Sequence, residues 1–394
     1  MSEIEEVFFD ITIDNEKIGR IVFELFKSVA PIATDNFYHL CKGDKSKVIN
    51  GKEKQLTYKN NFFHRIVKTF MIQAGDVIYG SETFEKSNDI GKGGCSIYAT
   101  EEDLKTAKDL PCYGNFKDEN VGEFTEPFYL AMVNTGEPDS NTSQFFITTG
   151  TAPHLNNKNT IFGKVIHGKS VVRTIERCVV DEDGFPSKCV RIEDCGEWND
   201  SMPIPLHNAC NNQIGGDIYE ENPDDDKNFD PEDFNKAYDA TCIIKDSGSA
   251  LFKLKDFQNA LFKYKKSLSY VNMFIPEEDV DKENHKKFSE LKIKVYLNLS
   301  LVSFNLKKYD DCIMYSKYVL DSPGVSNMDK AKSYYRMGNT HVIKKAYDDA
   351  LSCYKLCKEN NPNDKVVDAK IENVENTIGQ NKERTKKNIA KFFS

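Results

Sequence analysis

The stretches FHRIVKTFMIQ (residues 63–73) and SQFFI (residues 143–147) are the most informative parts of this sequence. Both are rich in the β-branched and aromatic residues that favour strands. Together they supply one guanidinium, Arg65, with amide side chains and several large apolar side chains. If the two strands pack side by side, these groups meet in an apolar pocket with a guanidinium at its edge. We therefore expect a ligand-binding site in a β-rich domain.

The composition is ordinary for a globular protein and excludes several classes. The chain has 394 residues, which predicts two or three domains. Its formal net charge is -9, and because phosphate binding requires a basic face, no nucleic acid partner is expected. No apolar run approaches the roughly 20 residues that span a bilayer. The acidic start MSEIEEVFFD lacks the features of a signal peptide. We expect no membrane partner and a cytoplasmic location.

The cysteines predict neither a disulfide framework nor a metal site. All eleven are scattered, and the sequence has no CxxC pair and no Cys/His cluster with zinc spacing. Reduced thiols in a reducing compartment are the expectation. No metal and no other cofactor is predicted.

The chain changes character about half-way along. Residues 1–198 contain short runs rich in Val, Ile, Phe and Tyr between turn residues, which favour a barrel or sandwich. Two helical patterns, at 31–41 and about 168–177, interrupt these runs. Residues 199–233 are rich in Asn, Asp, Pro and Gly and predict an acidic linker. Over residues 234–394 Pro and Gly are rare and helical periodicity predicts an all-α domain.

The helical half contains a repeat that matches the tetratricopeptide (TPR) pattern. This pattern recurs every 34 residues, with small residues near positions 8 and 20, and small residues there let two helices approach closely. Three repeats can be aligned, with about 18 extra residues after the first and four after the second. Their residues at positions 8 and 20 are Gly248 and Ala260, Ser300 and Cys312, and Gly338 and Ala350. The chain after Pro362 predicts a long capping helix.

Four polar side chains lie on the predicted first helices of the three repeats: Lys245 in the first, Asn298 in the second, and Lys332 and Arg336 in the third. Cations and amides in one groove bind a terminal carboxylate through charge-assisted hydrogen bonds. The set resembles the carboxylate clamp of TPR domains, which implies binding of the EEVD-type tail of heat-shock protein 90 or 70. The clamp normally has a second Asn where this chain has Ser249, which implies weaker affinity or preference for another acidic tail.

The first half resembles the cyclophilin family. Its motifs occur in order over residues 5–198 as VFFDITIDNEKIGRIVFELF, FHRIVKTFMIQAGD, LAMVNTG, SQFFIT and IFGKV. The resemblance implies a closed eight-stranded barrel capped by two helices, with peptidyl-prolyl cis-trans isomerase activity. Taken as a whole, the chain resembles the cyclophilin-40-type immunophilins, in which a cyclophilin domain is fused to a TPR domain.

The resemblance assigns Arg65 to rotation of the bond before proline. Rotation breaks amide resonance over a barrier of about 18–20 kcal/mol. A guanidinium directed at the nitrogen or the adjoining carbonyl favours the twisted state without any covalent step. Gln73 and Gln144 are implied to orient Arg65 and the substrate backbone. The residues implied to line the proline pocket are Phe70, Met71, Phe146 and Leu155, and those implied to pair with the peptide at its rim are Val133, Asn134 and Thr135.

Three departures from the cyclophilin pattern concern this site. His154 replaces the Trp common at the pocket edge, which implies weakened cyclosporin binding more than weakened catalysis. Asn159 replaces the usual pocket His, which implies lower turnover. Residues 99–114 form an insertion near the pocket that reads the residues before proline, so sequence preference is expected to differ. His64, next to Arg65, is expected to be structural.

Two functions remain open on the sequence. In the first, an active prolyl isomerase is brought to chaperone-bound, proline-containing client proteins by its TPR clamp. In the second, the barrel is a weakly active proline-binding module and the protein is chiefly an adaptor and holdase. Asn159 and the insertion at residues 99–114 motivate the second hypothesis.

Overall fold

A computed structural model describes residues 5–49, 51–81, 83–105, 111–199, 201–203 and 212–392. The chain divides into two compact units, Met1–His207 and Asn208–Ser394. Some residues of the predicted segments lie outside the described residues: 1–4 and 393–394 at the domain ends, 106–110 of the predicted insertion, and 200 and 204–211 of the predicted linker.

The first unit is built on one antiparallel sheet. Eight strands follow the order β12-β1-β2-β11-β9-β10-β6-β5, while β3 and β4 form a separate hairpin and β7 and β8 a short parallel pair. The described strands are β1 (Glu5–Ile13), β2 (Glu16–Leu25), β3 (Lys45–Ile49), β4 (Lys52–Leu56), β5 (Arg65–Val67), β6 (Met71–Ala74), β7 (Gly94–Cys95), β8 (Cys112–Tyr113), β9 (Tyr129–Met132), β10 (Phe145–Thr148), β11 (Ile161–His167) and β12 (Val190–Glu197).

The sheet curves into a half-barrel that is open, so the prediction of a closed eight-stranded barrel is wrong. Over the described residues β5 and β12 do not pair as strands, because the outer edge of β5 is occupied by another segment, where the N–H of Ile66 donates to the Gly184 carbonyl at 2.8 Å. The chain just before β5 links the two edges instead. Phe62 forms an isolated bridge with Arg191, and the N–H of Phe63 donates to the Val190 carbonyl at 2.9 Å.

Aromatic side chains fill the space inside the sheet. Phe9 of β1, Phe23 of β2 and Phe145 of β10 point inward and are fully buried, as expected where alternate residues of a strand share one face. Phe37 packs among them, with ring centroids 5.2 Å from Phe145 and 5.7 Å from Phe9. These contacts hold the strands that carry the candidate site.

The two helices predicted over this sheet are present. They are α1 (Pro31–Lys42) and α3 (Lys169–Glu176), and a further short helix, α2 (Glu101–Lys105), lies in the predicted insertion. Pro31 starts α1, where a missing N–H is harmless. Gly43 ends it in the left-handed conformation with φ 64. The helix buries Phe37 and Leu40, which lie three residues apart on one face.

The second unit is helical throughout most of its described length. Its helices are α4 (Phe234–Lys253), α5 (Phe257–Phe274), α6 (Lys282–Asn305), α7 (Tyr309–Leu320), α8 (Asn327–Ile343), α9 (Tyr347–Asn360) and α10 (Lys365–Phe392). Consecutive helices pack in pairs, α4 on α5, α6 on α7 and α8 on α9, and α10 packs on α9. None of the described helices is a candidate membrane span.

Each helix pair has a close contact between residues sixteen positions apart. A Cβ atom at Gly338 would lie 2.6 Å from the Tyr354 ring, and one at Gly248 would lie 2.9 Å from the Tyr264 ring. In the middle pair the hydroxyls of Ser300 and Ser316 are 2.7 Å apart. A small residue on the first helix therefore sets the approach of the second in all three pairs.

Residues 212–229, here called the entry segment, pack against the first helix pair. Asp217 is buried and accepts hydrogen bonds from Lys263 at 2.6 Å and from Lys266 at 2.8 Å, and the side chains of all three residues are fully buried. The Tyr270 hydroxyl donates to the Glu220 carbonyl at 2.8 Å. This part of the predicted linker thus belongs to the fold of the helical unit.

Candidate active site

Three neighbouring strands bring the predicted catalytic residues together. In the register of β5 and β6, Arg65 lies opposite Gln73. In the register of β6 and β10, Gln73 lies opposite Phe146. Two stretches about 70 residues apart in sequence thus meet through antiparallel pairing. The structure thus brings the two stretches together, and their joint role as one site stays a prediction.

Gln73 and Gln144 form a buried amide pair. The Gln73 side-chain amide donates to Oε1 of Gln144 at 2.9 Å. Nε2 of Gln144 donates in turn to the carbonyls of Gly91 at 2.9 Å and Gly93 at 2.7 Å. These bonds use both donors and the oxygen of Gln144, so the orientation of its side chain is fixed. Gln73, which lies opposite Arg65 in the strand register, is held by the same pair.

Asp76, whose role the sequence interpretation missed, binds the loop that holds Gln144. Its buried carboxylate accepts the N–H groups of Ile78 at 3.0 Å and Tyr79 at 2.9 Å through Oδ1, and those of Gly91 at 2.8 Å and Gly93 at 3.1 Å through Oδ2. The loop whose carbonyls hold Gln144 is therefore held by Asp76. The Gly-Asp turn was visible in the sequence, but its loop partners were not.

An apolar cluster lies beside the amide pair. Met71 and Phe146 are buried within it, and Phe124, which sequence reasoning missed, stacks on Phe146 with ring centroids 5.9 Å apart. Partly buried members that border the cluster are Phe70, Val133 and Leu155. The predicted pocket residues are thus gathered around one apolar surface, which suits a proline ring.

The predicted rim residues use several of their polar groups within the fold. The N–H of Val133 donates to the Gln144 carbonyl at 3.0 Å. The Asn134 side chain donates to the Lys158 carbonyl at 3.0 Å, and the N–H of Thr135 donates to the Ser140 hydroxyl at 2.9 Å. The rim is therefore internally braced, and Asn134 and Thr135 present partly exposed side chains.

The two substituted pocket positions have different environments. His154 lies in a short 3-10 turn, is exposed, and has its ring 4.7 Å from that of Phe70. Asn159 is buried and its side chain donates to the Met132 carbonyl at 3.1 Å. His154 is thus available at the pocket edge, whereas Asn159 is held by the backbone of β9.

Arg65 is the exposed cation of this site. Among the described residues it makes no ion pair and no side-chain hydrogen bond. A guanidinium left unpaired at an apolar surface is available to a carbonyl or an amide nitrogen of a bound peptide.

His64, beside Arg65, is buried and uncharged. Burial is the main cause that lowers the pKa of its imidazole to about 4, with Arg65 acting in the same direction and Asp76 in the opposite one. Its ring lies against the Gly91 backbone, where an added Cβ would be 3.0 Å from it. Its place under the loop supports the expected structural role.

The predicted clamp residues lie on the first helices of the three pairs. Lys245 and Ser249 are on α4, Asn298 is on α6, and α8 carries Lys332 and Arg336. In this array α6 packs on both α4 and α8. The side chain of Arg336 crosses from α8 to α6 and donates to the carbonyl of residue 297, next to Asn298, at 2.6 Å.

The clamp cations differ in their present partners. Lys245 pairs with its neighbour Asp246 at 2.8 Å, and Lys332 with Asp329 at 2.9 Å. Arg336 is partly buried, and burial lowers its pKa. No carboxylate lies within ion-pair distance of Arg336 among the described residues. The hydroxyl of Ser249 donates to the Lys245 carbonyl at 3.1 Å.

The described residues offer no candidate metal site. The described residues contain no set of three or more His, Cys, Asp or Glu side chains placed to hold a metal ion. The ten described cysteines are free thiols.

The curved antiparallel sheet, with a guanidinium beside an apolar cluster, lies within a domain that matches a known family. The model of the family "Cyclophilin type peptidyl-prolyl cis-trans isomerase/CLD" matches residues 8–197. This chain belongs to that family and is a cyclophilin-type peptidyl-prolyl cis-trans isomerase.

Two full-length relatives share both halves of the chain. Peptidyl-prolyl cis-trans isomerase CYP7 of Saccharomyces cerevisiae is 58% identical over 388 residues, which cover 98% of each chain. Peptidyl-prolyl cis-trans isomerase D of Kluyveromyces lactis is 35% identical over 397 residues, which cover 100% of each chain. The similarity therefore includes the helical half as well as the isomerase domain.

Proposed function

We propose that the chain is a cytoplasmic co-chaperone that isomerises X-Pro bonds in client proteins and binds a chaperone tail through its helical half. In the catalytic half, Arg65 polarises the twisted peptide bond, while Gln73 and Gln144 orient Arg65 and the substrate backbone. The apolar cluster around Phe146 receives the proline ring. The observation that carries this assignment is the unpaired guanidinium of Arg65 beside that cluster.

The mechanism requires no nucleophile. As the X-Pro bond rotates, its nitrogen loses conjugation and gains basicity, and its carbonyl gains ketone character. A fixed cation directed at that nitrogen stabilises the twisted state more than the planar ground state, because only the twisted nitrogen has a localised lone pair, whereas the carbonyl oxygen carries more negative charge in the planar state. The buried amide pair keeps the donor groups oriented before the substrate arrives.

The helical half is proposed to be a TPR domain of three repeats with α10 as the capping helix. The close contacts at Gly248, Ser300 and Gly338 support this, since they recur at the positions where the repeat requires small residues. The proposed domain boundaries are 1–198 for the isomerase, 199–233 for the linker, whose entry segment packs on the first helix pair, and 234–394 for the TPR domain.

The clamp is proposed to bind the EEVD-type tail of heat-shock protein 90 or 70. Arg336 supports this most strongly, because a partly buried guanidinium without a carboxylate partner among the described residues is electrostatically favoured when an anion binds there. Lys332 is half exposed on the same helix and can exchange Asp329 for a ligand carboxylate. Ser249 is proposed to weaken this affinity relative to clamps that have an amide there.

Calorimetric titration with an EEVD-ended peptide tests the clamp. The double variant Lys332→Ala/Arg336→Ala is expected to lose about 2–5 kcal/mol of binding free energy. The matched control is Lys317→Ala/Lys355→Ala, which removes two exposed lysines from the second helices of their pairs. The same peptide with an amidated C-terminus should bind weakly. Equal affinity of the double variant and the unmodified chain would contradict the clamp.

A second candidate function is a weakly active adaptor and holdase, with weak cyclosporin binding in either case. The observation that favours it is Asn159, whose side chain is engaged with the Met132 carbonyl and offers the pocket no ring. Suppression of client aggregation by an Arg65→Ala variant separates the two functions. Full suppression without isomerisation would favour the adaptor, whereas loss of assisted refolding would favour the isomerase.

A further inference from the structure

Residues 83–89, here called the clip segment, join two parts of the chain that flank Arg65. The ring of Phe84 lies between those of Phe62 and Phe185. Its centroid is 5.3 Å from that of Phe62 in an edge-on arrangement and 5.1 Å from that of Phe185 in a stacked one. Phe62 precedes Arg65 by three residues, and Phe185 ends a turn that runs from Asp181.

The same segment is tied to that turn by charge. Nζ of Lys86 lies 2.7 Å from Oδ2 of Asp181 and 2.5 Å from Oδ2 of Asp183. One ammonium group thus offsets the repulsion between two carboxylates on a short turn. The pairing with Lys86 is also the main cause that lowers the pKa of Asp181.

The Asp181–Gly184 turn lies against the aliphatic stem of Arg65. The N–H of Ile66 donates to the Gly184 carbonyl at 2.8 Å. A Cβ atom at Gly184 would lie 3.4 Å from Cγ of Arg65, and Gly184 has φ 86, a conformation that favours glycine. Because Arg65 makes no side-chain hydrogen bond among the described residues, packing against its stem contributes to the direction of the guanidinium beside the neighbouring amide pair.

We propose that the clip segment is a positioning element of the isomerase reaction. Phe84 and Lys86 hold the Asp181–Gly184 turn against Arg65 and thereby fix the guanidinium relative to the pocket. Both are positioning residues that act through Arg65. This inference rests on the proposed role of Arg65. It assigns a part in catalysis to a segment that none of the cyclophilin motifs in the sequence contains.

A purely structural role for the clip segment makes a different prediction. In that case Phe84 and Lys86 would stabilise the edge of the sheet, and their loss would lower the unfolding midpoint alone. A positioning role changes the rate constant at temperatures where the variant is fully folded. It also changes the environment of the Arg65 guanidinium, which a loss of stability alone does not.

The experiment compares full-length variants Phe84→Ala, Lys86→Met and Lys86→Arg by protease-coupled isomerisation of a proline tetrapeptide. The matched control is Lys59→Met. Lys59 pairs with Asp194 at 2.8 Å, and the side chains of this pair are 54% and 48% exposed, against 49% and 40% for Lys86 and Asp181. The chain is labelled with ¹⁵N only at arginine, and the Arg65 Nε–H signal is identified with an Arg65→Lys variant.

Positioning predicts a fall in kcat/KM of about 3- to 10-fold for Lys86→Met and about tenfold for Phe84→Ala, since small misplacement of a catalytic group is costly. The Arg65 Nε–H signal should move in Phe84→Ala and in Lys86→Met. Lys86→Arg should keep kcat/KM and the signal close to those of the unmodified chain, and Lys59→Met should leave both unchanged. The inference alone is overturned if Arg65→Ala abolishes isomerisation while both clip variants retain full kcat/KM. Full activity of Arg65→Ala would overturn the role of Arg65 and the inference together.

Discussion

The side-chain amide of Gln73 donates a 2.9 Å hydrogen bond to Oε1 of Gln144, inside the sheet and beside Arg65. Gln144 is held from the other side by the carbonyls of Gly91 and Gly93. The amide pair therefore joins β6, the neighbour of the strand that carries Arg65, to the loop that contains Gly91 and Gly93. Each glutamine limits the orientation of the other.

We expect Gln144→Glu to lower kcat/KM by about tenfold or more. A carboxylate accepts the bond from Gln73 but has no N–H to donate, so the carbonyls of Gly91 and Gly93 lose their donor inside a buried site. Isomerisation measured by NMR exchange on a proline peptide checks this. Gln213→Glu, at a residue in the other unit, is the control. Activity of Gln144→Glu equal to that of the unmodified chain would show that the amide pair does not orient the site.

The stability of the first unit should fall as the pH drops from about 6.5 to about 4. His64 has a pKa lowered to about 4 in the folded chain, while the unfolded chain protonates near 6.5. The unfolded state therefore binds more protons in this window, which destabilises the fold by up to about 3 kcal/mol at pH 4. Above pH 6.5 the neutral imidazole makes no such contribution.

Urea unfolding followed by fluorescence checks the effect of His64. The sequence contains a single Trp, and Trp198 lies buried in the first unit, so its signal reports on that unit. The unfolding free energy of the unmodified chain minus that of His64→Leu should decrease as the pH falls through this window, because only the unmodified chain loses stability through His64. A difference that stays constant from pH 7 to pH 4 would exclude His64 as the titrating group.

Asp217→Asn should strongly destabilise the helical unit. Asp217 is the buried carboxylate shared by the ammonium groups of Lys263 and Lys266. Removing one partner of a buried ionic cluster costs about 3–5 kcal/mol. Thermal unfolding followed by circular dichroism at 222 nm measures the loss. The control is Asp224→Asn, an exposed position of the same entry segment, for which no more than about 0.5 kcal/mol is expected.

Two glycines in the helical unit should respond in opposite directions to alanine. At Gly338 a Cβ would lie 2.6 Å from the Tyr354 ring, so Gly338→Ala should cost about 1–3 kcal/mol through overpacking of α8 on α9. At Gly379 on α10 nothing lies within 4 Å of an added Cβ. Gly379→Ala should therefore stabilise by up to about 1 kcal/mol. Denaturant unfolding of the full chain measures both, and equal effects would contradict the close helix contact.

The meeting of the two stretches was predictable from sequence because both lie on regular, pairing strands. Arg65, Gln73 and Phe146 lie on β5, β6 and β10, whose alternation of side chains is visible in the sequence, and their register places them together. The start and end of α1 were equally readable, because Pro31 and Gly43 have conformational preferences that are local.

The features that were missed depend on contacts between distant residues. Asp217 lies in a stretch with the composition of a linker, yet its burial depends on lysines 46 and 49 positions later. Phe84 has no periodic neighbours that predict its place between two other rings. The open edge of the sheet follows from the contact of Ile66 with Gly184, which the apolar pattern of residues 63–67 does not reveal.

The central claim is that Arg65 lowers the barrier to rotation of the X-Pro bond, and its most direct test is kcat/KM of full-length Arg65→Ala and Arg65→Lys. We predict a fall of about 100-fold or more for Arg65→Ala, because a preorganised cation is removed from the site where charge changes. Arg65→Lys should recover only part of the activity, since an ammonium lacks the planar donor fork. Isomerisation by Arg65→Ala at the rate of the unmodified chain would contradict the claim.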